Sequence, residues 1–156
     1  MQRTALFPGS FDPFTVGHVD IIHRSFNLFD KIVIGVGFNS TKQAMFTLEQ
    51  RMQWIKDSLN EKDKIEVLSY DGLTVEFAKK IGAQYILRGL RTSTDFQFEK
   101  AIAQMNTLMD AKIETVFILS SAEFAPVSST IVRDIIRNGG DVSKFVASGV
   151  KINAVK

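Results

Sequence analysis

Ala5-Leu6-Phe7-Pro8-Gly9-Ser10-Phe11-Asp12-Pro13-Phe14-Thr15-Val16-Gly17-His18 passes from an apolar run, through a bend with two prolines and a glycine, toward a segment in which Val19, Ile22, Phe26 and Phe29 recur at helical spacing. A strand, a glycine-bearing loop and a helix start, in that order, predict one βα unit of a parallel sheet. Such a helix start gathers unpaired backbone N–H groups and the positive end of a dipole at one point, which suits a phosphate. Gly9 is expected to supply an unusual backbone conformation, Ser10 a hydroxyl and an N–H, and His18 a side chain at the mouth of the helix. Neither G-x-G-x-x-G nor G-x-x-x-x-G-K-[ST] occurs, so the usual phosphate loops are absent.

The same alternation continues along the chain. Residues 31–37 form a continuously apolar run, as a strand covered on both faces should, and 65–68, 85–87 and 116–119 read as further strands. Thr47-Leu48-Glu49-Gln50 has the form of a capping box, followed by Leu48, Met52, Ile55 and Leu59 on one helical face. Thr74 to Ile81 is a shorter helical pattern closed by Gly82. Ser93 or Thr94 is placed to cap a longer helix that turns Phe98, Ile102, Met105 and Met109 to the core and leaves Glu99 and Asn106 on another side. A last helix runs from Ser128-Ser129-Thr130 through Ile131, Ile135 and Ile136 and ends at Asn138-Gly139-Gly140; the tail from Asp141 is weakly patterned. These lengths argue for an α/β fold with a mainly parallel sheet, and no linker or repeat divides residues 1–156, so one domain is expected.

Composition narrows the functional classes. With 45% hydrophobic and 23% charged residues the chain is that of a soluble globular protein, and a net charge of +2 admits an anionic small ligand without the clustered basic footprint of a nucleic-acid binder. There is no Cys, which excludes a disulfide scaffold, a thiolate nucleophile and a Cys-type zinc site. No long apolar run is present, so no membrane partner is expected and a cytoplasmic location is.

Polar clusters follow the predicted strands, where ligands of open α/β sheets lie. Lys42 follows the second strand in Phe38-Asn39-Ser40-Thr41-Lys42, and Arg88-Gly89-Leu90-Arg91 follows the fourth. Taken singly these are ordinary solvated cations; together, two guanidiniums three residues apart at the mouth of an apolar sheet suit bidentate phosphate contacts. Ser128, Ser129 and Thr130 put three hydroxyls at a helix start, of which N-capping explains one and a polyphosphate all three. His18 and His23 do not share a helix face, and no metal-ligand spacing or nucleophile elbow occurs, so a divalent ion is expected to arrive with phosphates.

Assembled, these residues have a pattern. Thr15-Val16-Gly17-His18 stands at an HxGH position with Thr in place of the first His. Pro8-Gly9-Ser10-Phe11-Asp12-Pro13, Met45-Phe46-Thr47-Leu48-Glu49-Gln50-Arg51, Arg88-Gly89-Leu90-Arg91, Asp95-Phe96 with Glu99, Met105-Asn106 and Ser128-Ser129-Thr130 accompany it colinearly. The chain thereby resembles the HxGH-type nucleotidyltransferases, and within them the bacterial subfamily that adenylylates 4′-phosphopantetheine. The resemblance implies a Rossmann-like doubly wound sheet of about five parallel strands with helices on both faces. It also implies the conversion of ATP and 4′-phosphopantetheine to dephospho-coenzyme A and pyrophosphate with Mg²⁺, a homohexamer, and feedback by coenzyme A.

Carried over by residue, the resemblance implies that His18 bonds the α-phosphate, with Lys42, Arg88 and Arg91 as the other catalytic positions. Ser10 would bridge the substrates, and Lys42 and Arg88 would hold the acceptor phosphate, with Leu73, Thr74 and Asn106 along the pantetheine arm. Phe11, Gly89, Leu90, Arg91, Glu99 and Phe124, Ala125, Pro126, Val127, Ser128, Ser129 and Thr130 would serve ATP. Ser10 keeps the hydroxyl where the family often has Thr, while Phe124 to Val127 and Thr74 depart from commoner residues. Two other readings stay open: nucleotidyl transfer to another phosphorylated acceptor, and a nucleotide-binding module without chemistry.

Overall fold

Continuous apolar runs give strands buried on both faces, and amphipathic runs between them give the covering helices. In the computed structural model, which describes residues 1–39, 41 and 43–152, they alternate as β1 (Thr4–Gly9), α1 (Val16–Ser25), β2 (Lys31–Gly37), α2 (Leu48–Ser58), β3 (Ile65–Tyr70), α3 (Thr74–Lys80), β4 (Tyr85–Leu90), α4 (Ser93–Met109), β5 (Glu114–Leu119) and α5 (Ser129–Arg137). All five strands are parallel, in the order β3-β2-β1-β4-β5. The chain builds outward from β1 to β3, then returns past β1 to build β4 and β5. Right-handed crossovers therefore put α1 and α2 on one face and α3 and α4 on the other. The first face packs Ile22, Trp54, Ile55 and Val132 against Ala5, Phe7, Ile34 and Leu87; the second packs Val75, Phe77 and Ala78 against Leu6, Val33 and Ile86. The expected five-stranded, doubly wound α/β sheet is what forms.

The sheet parts in its middle. β1 pairs with β2 from Thr4 to Gly9, and β4 with β5 from Tyr85 to Leu90, but β1 and β4 pair only at Ala5–Tyr85 and Leu6–Ile86. Successive strand residues direct their backbone polar groups to alternate neighbours. The Thr4 carbonyl accepts from Gln84 N–H on the β4 side, so Leu6 and Pro8 also face β4. The next rung after Leu6 requires the N–H of residue 8, which proline lacks. The ladder stops there, and the Pro8 carbonyl accepts instead from Arg88 Nη1 at 2.8 Å. The resulting crevice lies at the carboxyl ends of β1 and β4, where strand order reverses.

Local chemistry agrees with the sequence at most ends. Thr47 and Gln50 form the expected capping box, and Gly82 and Gly139 follow their helices with φ of +69° and +73°, conformations glycine adopts freely. Two expectations are corrected, and the weakly patterned tail acquires a place. Thr92, not Ser93 or Thr94, caps α4, its hydroxyl accepting from Asp95 N–H. The stripe of α4 expected to be buried is exposed in this chain: Phe98 is 68% exposed and Ile102, Met105 and Met109 are exposed, Ile102 and Met109 beside a cavity that Asn106, only 7% exposed, also lines. The tail is also part of the core: Val142, Val146, Ala147 and Val150 are buried, and Val16 N–H and Ala147 N–H bond the carbonyls of Phe145 and Phe14 respectively.

Candidate active site

A cavity of about 420 Å³ fills the crevice, bounded by the β1–α1 loop, the end of β4 and the start of α5. His18 lines it from the third position of α1. Thr15, the N-cap, accepts from His18 N–H at 3.4 Å, while Thr15 N–H donates to His18 Nδ1 at 3.0 Å. This reciprocal capping box uses the imidazole itself as the return arm. Because Nδ1 accepts, the proton resides on Nε2, which is left to donate. The ring stacks on Phe14 at 5.5 Å and meets Phe11 edge-on at 5.0 Å. Burial first, then the charges of Arg91 and Arg88, push its pKa down to about 3. His18 is therefore a neutral donor at physiological pH.

The loop that holds this ring corrects one expectation. Phe11, not Gly9, takes the left-handed conformation, with φ of 48°, and its side chain is buried. Gly9 is required for space: a Cβ there would stand 3.0 Å from the Phe11 ring. Two buried charges outside the expected set fix the loop. Asp12 accepts from Met45 N–H at 2.8 Å and Phe46 N–H at 3.0 Å. Arg51, 4% exposed, donates to the carbonyls of Ser10 at 2.6 Å, Phe46 at 3.1 Å and Gly37 at 3.3 Å. Arg133 of α5 adds a 2.6 Å bond to the Asp12 carbonyl. Their sequence signal was limited to Asp12 and Arg51 lying inside the shared motifs.

Arg88 reaches the crevice from β4, and Glu99 of α4 receives its Nε at 2.8 Å and Nη2 at 2.5 Å. Arg91 is paired with Asp95, whose Oδ2 lies 3.3 Å from its Nε and also accepts Arg91 N–H at 3.1 Å. At the start of α5, Ser128 caps the helix through Ile131 N–H, Ser129 donates to the Pro13 carbonyl at 2.8 Å, and Thr130 accepts from Arg133 at 3.3 Å. Each of the three hydroxyls thus has a structural partner, and all three still line the cavity. Ser10, Phe11, Gly89, Arg91, Glu99 and Val127 line it with them; Leu90, Phe124, Ala125 and Pro126 do not.

Two further cavities adjoin it. One of about 560 Å³ shares Pro8, Gly9, Ser10 and Arg88 with the first and is also lined by Arg133, Arg137 and Thr74. The other, about 280 Å³, runs from Pro8 and Arg88 along Leu73, Thr74 and Asn106. Ser10 and Arg88 therefore stand at a junction, and all three residues expected along the acceptor arm fall together on one side of it. Lys42 lies outside the described residues.

The cytidylyltransferase-like family profile matches residues 6–135. The chain is 53% identical to the phosphopantetheine adenylyltransferase of Flavobacterium psychrophilum over 97% of its own length and 99% of the relative's. It is 50% identical to that of Flavobacterium johnsoniae with the same coverage. The chain belongs to the phosphopantetheine adenylyltransferase family. Members of this family are nucleotidyltransferases, and this chain is an enzyme of that class. Solved structures agree on the fold. A bifunctional NMN adenylyltransferase/ADP ribose pyrophosphatase from Francisella tularensis superposes with a TM-score of 0.75 at 17% identity, covering 96% of this chain and 46% of that one. A Vibrio parahaemolyticus protein assigned as a nicotinate-nucleotide adenylyltransferase gives 0.69 at 18% identity, covering 96% and 90%.

Proposed function

We propose that this family member transfers the adenylyl group of ATP to 4′-phosphopantetheine, giving dephospho-coenzyme A and pyrophosphate, within coenzyme A biosynthesis. The observation that carries the reading is the shared wall of Pro8, Gly9, Ser10 and Arg88 between two cavities. A reaction between two anions needs such a junction, where the acceptor phosphate and the α-phosphorus of ATP meet in line. The acceptor is already an anionic nucleophile, so no general base is required, and rate comes from positioning and from donors aimed at developing charge.

In this reading His18 Nε2–H bonds the α-phosphate and strengthens that bond as charge builds. Its neutrality suits the role, since proton and ring orientation are set beforehand by Thr15. Ser10 bridges the substrates, and Arg88 with Lys42 holds the acceptor phosphate. Arg91 and the hydroxyls of Ser128, Ser129 and Thr130 receive the β- and γ-phosphates, and Leu73, Thr74 and Asn106 follow the arm. Magnesium carried with ATP would supply neutralisation of phosphate charge. The carboxylates lining the ATP-side cavity, Asp95 and Glu99, are both paired with arginines, which supports an ion that would come with the nucleotide rather than be held by them.

The exposed apolar residues of α4 support self-association, and we read the assembly, by family resemblance, as six copies acting in the cytoplasm. Coenzyme A, which contains both product halves, is assigned as a feedback ligand.

A pyrophosphate-release assay with a panel of acceptors tests the reading. Release is expected with phosphopantetheine, and His18→Ala should lower kcat by about 10²-fold or more with ATP affinity little changed. Release only with nicotinate mononucleotide or glycerol phosphate would reassign the acceptor. ATP binding without release would leave a binding module.

A further inference from the structure

Asp95 and Glu99 stand one helical turn apart near the start of α4, and each holds one of the two arginines at the end of β4. Two carboxylates in a cavity built for phosphates would repel the ligand if they faced it alone. Glu99 instead has both oxygens on Arg88, and its side chain is only 11% exposed. A guanidinium has five N–H donors in a fixed fork. Glu99 takes two and the Pro8 carbonyl a third, which leaves one on each terminal nitrogen of Arg88. That remaining pair is a ready fork for one phosphate.

We propose that Glu99 and Asp95 are positioning residues, with Glu99 aiming Arg88 at the acceptor phosphate and Asp95 holding Arg91 at the leaving pyrophosphate, so that one helix sets both anion sites. This rests on the roles given to Arg88 and Arg91 above. It departs from Glu99 as a direct ATP ligand, the role implied by resemblance. Glu99 acts through Arg88.

The sign of one substitution separates the two roles. By charge alone, Glu99→Gln removes a negative group beside an anion site and should tighten phosphate binding; as a loss of aim, it weakens it. The expected result is a rise of about tenfold in KM for phosphopantetheine with KM for ATP within about twofold. Asp95→Asn should do the reverse, acting on ATP and pyrophosphate. In an Arg88→Ala background Glu99→Gln should cost nothing further, while Glu99→Gln and Arg91→Ala should multiply. An equal Glu99→Gln penalty with and without Arg88, or an effect on ATP alone, would overturn the proposal. So would unchanged or tighter phosphate binding. Calorimetric titration with inorganic phosphate and inorganic pyrophosphate keeps this apart from the choice of acceptor. If phosphopantetheine is not turned over, the acceptor assignment fails, yet a loss of phosphate affinity that vanishes without Arg88 still upholds the positioning role.

Discussion

His18 makes the residue scale concrete, because one ring is at once helix cap, neighbour of two buried phenyl rings and the proposed hydrogen-bond donor to a phosphate. Its folded pKa of about 3 lies below the ordinary 6.5, so between those values the unfolded chain binds a proton that the folded chain does not. Acidification from pH 6.5 toward 3 therefore removes stability. A His18→Asn variant should lose less stability than the parent between pH 7 and 4.5, read from urea midpoints. In the ligand-free enzyme the ring's Cε1 proton resonance should stay flat between pH 5 and 8; a midpoint near 6.5 would contradict the neutral-donor role. At this scale His18, Arg88 and Arg91 were legible because each ends or follows a strand. Asp12 and Arg51 were not, since their partners lie 33, 34 and 41 residues away and only folding brings them together. Each carbonyl stranded by losing Arg51 would cost about 1–3 kcal/mol, so its contribution to holding the loop is large.

Among the elements, α4 taught most by contradicting expectation. Phe98, Ile102, Met105 and Met109 share one stripe, and a stripe reports that something covers it without saying whether that is the same chain. Here the chain turns Glu99 toward Arg88, and Glu99 and Asn106 line the cavity beside it. The outward face, with Leu108 81% exposed, borders a groove of about 840 Å³ between α4 and Phe117 of β5. Leu108→Lys should leave the monomer's circular dichroism unchanged and reduce the mass measured by light scattering below that of the proposed six copies. An unchanged mass would move the interface off α4. Strands were easier: runs covered on both faces by their own chain leave no such ambiguity, and only their ends shifted, by three residues at most, where β4 runs on to Leu90. The tail was the opposite case. Val142, Val146 and Val150 carry no regular element, so neither period could reveal that they close the core.

The whole molecule is organised by where its sheet fails to close. A βαβ pattern foretells a switch point, but the width of the crevice depends on Pro8, one atom short of continuing the ladder. Pro8→Ala restores that N–H. The gain of about 1 kcal/mol from a new rung is offset by about 0.4–1 kcal/mol of unfolded-chain entropy, so stability should barely move. The crevice should narrow, and KM for both substrates should rise about tenfold as donors leave their places. Unchanged KM values would mean that the strands part for another reason. The crevice also contains something that no side-chain survey will register. Gly89 belongs to the set of β4 residues whose backbone faces β1, and beyond Leu6 there is no β1 rung to receive its N–H. The protein thus keeps a sheet edge inside itself, shielded from the strand addition that outer edges invite. Donors on that edge survive almost any substitution, so alanine scanning will undercount the groups that this crevice offers a ligand, and part of the candidate site is heritable only as a fold.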